Sequence, residues 1–72
     1  MKTNAHKTIY ASLMVKKVPF TMFKENNNDV FTFGNNKIVL LEESITVNDT
    51  NYNDVNDVVK FIKNYSILSI PS

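Results

Sequence analysis

Asn51–Tyr65 reads NYNDVNDVVKFIKNY, and its periodicity decides the fold class. Apolar residues fall at Val55, Val58, Val59, Ile62 and Tyr65, with Phe61 at the margin. That spacing draws one stripe on a 3.6-residue period, the mark of an amphipathic helix over about 53–65. Asp54 and Asp57 lie toward its start and Lys60 and Lys63 toward its end, so both signs of charge suit the helix dipole. Asn51 or Asn53 is the expected N-cap, because an Asn side chain accepts a bond from a first-turn amide. About fifteen residues are marginal as an isolated helix, so this one requires a surface to pack on. Phe61→Ala or Ile62→Ala is accordingly expected to cost ~2–5 kcal/mol.

The residues before it read as that surface. In Lys7–Lys16 the apolar Ile9, Ala11, Leu13 and Val15 alternate with Thr8, Tyr10, Ser12, Met14 and Lys16, which predicts a first strand. Met1–His6 is polar and expected to fray. Lys16-Lys17 is read as a turn and Val18–Lys24 as a second strand. Pro19 lacks an amide donor and so belongs at a strand start or on an edge. Phe20 and Met22 share one face of that strand, Thr21 and Phe23 the other.

The polar run Glu25–Asp29 (ENNND) is read as a loop. Val30–Phe33 and Lys37–Glu42 flank Gly34-Asn35-Asn36, a strong turn signal because Gly and Asn tolerate the positive φ of tight hairpins. A β-hairpin over Asp29–Glu42 follows. Ile45 and Val47 share a face, either in a short fifth strand after a break at Glu42-Glu43-Ser44 or as the end of one long strand over 37–48. Residues 66–70 supply a last strand or a tail docked on the core. The expected fold is α+β: one domain over 1–72, with a small antiparallel sheet of four to five strands and one helix across a face.

Composition narrows function mainly by exclusion. Seventy-two residues without Cys form a thin core, burying ~60% of the unfolded surface, and no disulfide can reinforce it. Such domains depend on good packing or on oligomerisation. No cofactor or structural metal is expected. No apolar run approaches the ~18 residues of a membrane span, and the amino-terminal segment lacks the pattern of a secretory signal. A cytoplasmic protein is expected. Eleven Asn, eight Lys, no Arg and a single Gly suggest an AT-rich gene, from a low-GC bacterium or from a phage or mobile element that inhabits one.

Reactive groups are few. His6 is the only histidine, and no nucleophile-elbow motif accompanies it. Glu42 and Glu43 are adjacent, so on a strand they would face opposite sides and could not share acid/base work. With one glycine, no phosphate-cradling loop exists. Asp49-Thr50-Asn51-Tyr52-Asn53 opens like a calcium-binding EF-hand loop, but Asp54 stands where the loop needs Gly and Lys60 where it needs Glu. Capping of the helix is the simpler reading of these residues.

Two functional expectations remain. The first is a small, non-enzymatic protein-interaction module, a regulator or inhibitor of a partner protein and itself homo-oligomeric. Its interface would be Pro19, Phe20 and Met22, with Phe23 on the opposite face, because that strand carries apolar groups on both sides and offers an edge. The second is a small nucleic-acid or nucleotide binder. It would stack bases on Phe31 and Phe33, with Tyr10 or Phe20, and engage phosphates through Lys7, Lys16, Lys17 and Lys37. A net charge of +1 and the absence of a basic cluster weigh against the second.

Overall fold

The computed structural model describes residues 2–65. Its elements run α1 (Lys2–Lys16), β1 (Thr21–Glu25), β2 (Asn28–Phe33), β3 (Asn36–Leu40), β4 (Ile45–Val47), β5 (Thr50–Tyr52) and α2 (Val55–Asn64). The five strands form one antiparallel meander in the order β1-β2-β3-β4-β5. Both helices pack on the same face, giving two layers. The α+β class and the five-stranded sheet agree with the sequence reading, but the sheet is assembled from different pieces of chain.

The largest correction is at the start. Lys7–Lys16 is not a strand, and the chain before it does not fray: α1 runs from Lys2, and Ala5 is already buried. Ala5, Ile9 and Leu13 are buried at four-residue spacing, while Ala11 and Val15 point to solvent. A strand would have placed Ile9, Ala11, Leu13 and Val15 on one side. The helix ends in a Schellman motif, whose two bonds satisfy otherwise orphaned carbonyls. The Lys17 amide donates to the Met14 carbonyl at 3.0 Å and the Val18 amide to the Leu13 carbonyl at 3.2 Å. Lys17 holds the left-handed position at φ 60°. Val18 is buried, as is Leu13, the apolar pair that commonly accompanies this cap.

The strand expected over Val18–Lys24 is shorter and later. Val18 belongs to the cap, Pro19 and Phe20 lead in, and β1 begins at Thr21. The run expected as a five-residue loop is a two-residue hairpin turn: Glu25 pairs with Asn28, and Asn26 and Asn27 both take positive φ, at 54° and 67°. Two left-handed residues match the right-handed twist of the flanking strands. The second hairpin stands as read. Phe33 pairs with Asn36 around Gly34, at φ 58°. Beyond β3 the chain breaks, with the Leu41 amide donating to the Ser44 carbonyl at 2.9 Å, so 37–48 forms two strands rather than one.

Asn48 and Asp49 turn the last hairpin, both at positive φ. The Asn48 side chain accepts from the Lys37 amide and donates to Asn36 Oδ1, each at 2.9 Å. Thr50–Tyr52, expected to lead into the helix, is instead strand β5, so residues 49–53 form no cation-binding loop. The helix starts at Val55, and its N-cap is Asp54 rather than Asn51 or Asn53: Asp54 Oδ1 accepts from the Asn56 amide at 3.0 Å. Val58 and Ile62 are fully buried on α2, with Phe61 and Tyr65 packed beside them. The expectation of a strand or docked tail at 66–70 lies outside the described residues.

The core sits between the layers. Ala5, Ile9 and Leu13 of α1, and Val58 and Ile62 of α2, meet Phe31, Phe33, Ile38, Leu40, Ile45 and Val47 of the sheet. No buried side-chain polar atom lacks a partner among the described residues. The opposite face of the sheet carries no helix among those residues. Its register sets Phe23, Val30, Val39 and Thr46 side by side across β1–β4.

Candidate interaction surface

Strand β1 lies at one border of the sheet, and all five of its residues are exposed. Its neighbours explain why two large apolar side chains remain uncovered there. Met22 lies opposite Phe31 and so faces the helical layer, while Phe23 lies opposite Val30 and faces the bare side. They are 47% and 45% exposed. Phe20 just before them is half-buried. It meets the Tyr10 ring edge-on at 5.5 Å between centroids and the Phe31 ring at 6.2 Å. Pro19 is exposed. The four interface residues expected from sequence therefore fall on one contiguous border of the molecule, with Met22 and Phe23 on opposite sides of it.

The helix adds residues that the strand reading missed. Tyr10 and Met14, four residues apart on α1, are 39% and 54% exposed. Tyr10 joins the same border through its contact with Phe20. Residue spacing was the available signal: with Ala5, Ile9 and Leu13 set inward on a helical wheel, Tyr10 and Met14 fall together on a second line. His6 is half-buried rather than free, its ring 5.1 Å from that of Phe31 and 6.4 Å from that of Tyr10.

Charges on β1 are answered within the chain. Lys24 Nζ lies 3.9 Å from Asp29 Oδ1, and Lys37 Nζ lies 3.2 Å from Glu25 Oε1 across the bare face. Exposed pairs of this kind add little stability. They do leave the border without an unanswered charge on Lys24 or Glu25. The Thr21 and Thr32 hydroxyls meet across the β1–β2 pair.

The residues of the nucleic-acid reading do not converge. Phe31 and Phe33 are buried under the helices, so neither ring offers a face to a base. Lys16 donates to the Lys63 carbonyl at the far ends of the two helices, Lys17 caps α1, Lys7 is exposed on α1, and Lys37 is on the opposite face of the sheet. A phosphate backbone could not follow all four along one surface.

Chemistry of other kinds finds little footing. Among the described residues no three His, Cys, Asp or Glu side chains cluster as metal ligands would, and no helix is long and apolar enough to cross a membrane. A cleft of about 260 Å³ opens at the amino-terminal ends of both helices, walled mainly by apolar groups of Ala5, Leu40, Ile45 and Val55. Its Asp54 is committed to capping α2. No family model, curated protein or solved structure matches the chain.

Proposed function

We propose that this chain is a small, non-enzymatic protein-interaction module that regulates or inhibits a partner protein, docking it along the β1 border. The observation that carries the reading is the exposure of Met22 and Phe23 on a five-residue edge strand. An edge strand offers unpaired amides and carbonyls to an incoming strand, and alternating side chains give that pairing its specificity. Phe20 and Tyr10 extend the apolar area on the helical side, and large apolar side chains gathered in one place mark association surfaces more often than chance exposure does. The non-enzymatic part of the reading rests on the scarcity of reactive groups: no Cys and one His. An AT-rich bacterial, phage or mobile-element gene fits a cytoplasmic regulator of this size.

The test compares the immobilised wild type with a Met22→Glu/Phe23→Glu variant, both exposed to extract of the organism that encodes them. A partner retained by the wild type and lost by the variant, with the thermal midpoint of the variant held within a few degrees, is the expected result. Retention of nothing above a blank surface, or equal retention by both chains, refutes the reading.

A further inference from the structure

We infer that the β1 border accepts the β1 of a second copy of this chain, in an antiparallel register centred on Phe23. This rests on the reading of β1 as a docking edge and names the occupant of that edge in the free protein, which a partner protein docking there would displace. The geometry of the first hairpin supplies the constraint. In a two-residue hairpin the flanking pair, here Glu25 and Asn28, exchanges both ladder bonds, and such pairs alternate along the ladder. Glu25, Phe23 and Thr21 therefore direct their amides and carbonyls toward β2. Met22 and Lys24 direct theirs outward.

An antiparallel partner must place its own outward residues opposite these two. The arrangement that does so while using all five residues of β1 sets Met22 opposite Lys24 of the second copy, Phe23 opposite Phe23, and Thr21 opposite Glu25. It is two-fold symmetric, as an isologous interface requires. Met22 and Lys24 exchange main-chain bonds on either side of the axis. Phe23 meets Phe23 at a non-hydrogen-bonded position, where strands come closest and side chains interact most strongly.

Side chains agree with that register. The two Phe23 rings cover each other on the bare face, next to the buried Val30. On the helical side each Met22 lies against the stem of the other copy's Lys24, whose charge is answered by Asp29 of its own chain. Phe20 and Pro19 fall just beyond the paired segment, beside the other copy's Asn26 turn. The result is one continuous ten-stranded sheet with all four helices on one side.

The absence of Cys makes the register directly readable. In Phe23→Cys the two thiols lie on the axis, with Cα atoms about 4.5 Å apart, inside the range a disulfide spans. In Thr21→Cys alone the same thiols are offset by four residues, roughly 13 Å, which is out of range. Mixing Thr21→Cys with Glu25→Cys chains restores the match. Mild oxidation of the full chain is therefore expected to cross-link Phe23→Cys and the mixture, and neither Thr21→Cys nor Glu25→Cys alone. Light scattering of the wild type is expected to give twice the chain mass at high concentration. Lys24→Pro, which removes an outward amide and leaves the β1–β2 ladder intact, is expected to return it to the monomer mass with the fold retained by circular dichroism.

A monomer from micromolar to millimolar concentration overturns the inference, as does equal cross-linking of Thr21→Cys and Phe23→Cys. A monomer that still retains a partner lost by the Met22/Phe23 variant overturns the second copy as occupant while the docking edge stands. A monomer that retains none overturns both.

Discussion

Replacing Leu13 and Val15 one at a time separates the helix from the strand that the sequence suggested. Leu13 is fully buried and Val15 is 83% exposed, although they are two residues apart and would share a face in any strand. Leu13→Ala empties a site walled by core side chains and by Val18 of the Schellman cap. Buried Leu→Ala changes cost ~2–5 kcal/mol. A chain of this size has a total stability of ~4–11 kcal/mol at the usual value per residue, so the loss is a large share of the whole. Each kcal/mol moves the midpoint of a small domain by ~4–8 °C, and a drop of about 10 °C or more is expected. Val15→Ala removes almost no buried surface and replaces a β-branched residue with the best helix former, for a gain of about 0.5 kcal/mol. The two changes should have opposite signs. The assay is urea unfolding followed by far-ultraviolet circular dichroism, since the chain has no Trp, at one protein concentration for all variants. A loss above about 1 kcal/mol in Val15→Ala, or a neutral Leu13→Ala, refutes α1 and its inward face.

Three further outcomes follow from backbone and burial. Lys17→Gly should stabilise by about 0.5–1 kcal/mol in the same assay, because Lys17 stands at φ 60° where the Schellman motif favours glycine. Gly34→Ala should lose about 1–2 kcal/mol, since Gly34 is at φ 58° and an added Cβ meets the Tyr65 hydroxyl. Combining it with Tyr65→Phe should recover most of the steric part and none of the backbone part, since the ring atoms that remain come no closer than 3.2 Å. Ile62→Ala should cost ~2–5 kcal/mol, and Phe61→Ala less than complete burial of a Phe would imply, because Ile62 is fully buried and Phe61 only partly so; full-burial thermal shifts in both would place α2 in the wrong rotation.

What was legible in the sequence was what local chemistry states without ambiguity. Gly34-Asn35 announced the central hairpin because a turn that needs positive φ favours glycine. The 3.6 period of Val55–Ile62 announced α2 because one stripe is apolar and the rest polar. Helix α1 was hidden for the converse reason. Ala5, Ile9 and Leu13 fit a period of four and a period of two alike, and Tyr10, Ala11, Met14 and Val15 spread apolar residues around the rest of the wheel. Its first turn holds no acid, and Lys rather than Gly stands at its left-handed cap. In the first hairpin, Asn26 and Asn27 carry positive φ without a glycine, so a two-residue turn passed for a five-residue loop. Pro19, Phe20, Met22 and Phe23 were singled out as a surface from the position of Pro19 and the two-sided apolar pattern, and their place on one border survives the shift of strand boundaries. Tyr10 and Met14 were not, because they join the surface only once α1 is a helix.

The two borders of the sheet differ in a way that bears on function. An edge strand invites pairing with another chain, and sheets usually shorten it, charge it or cover it. Strand β5 is shortened: it has three residues, its central Asn51 is polar and exposed, and the chain turns at once through Asn53 and Asp54 into α2. Tyr52 packs against the core. Strand β1 has five residues, no covering helix on the side of Phe23, and one exposed lysine whose charge Asp29 answers. Leaving Met22 and Phe23 in water on that border forgoes burial worth on the order of 1–2 kcal/mol for each side chain at half its exposed area. A small domain with a thin core has little stability to forgo. A border that is paired in the working protein removes the conflict, since the exposure then exists only in the separated chain.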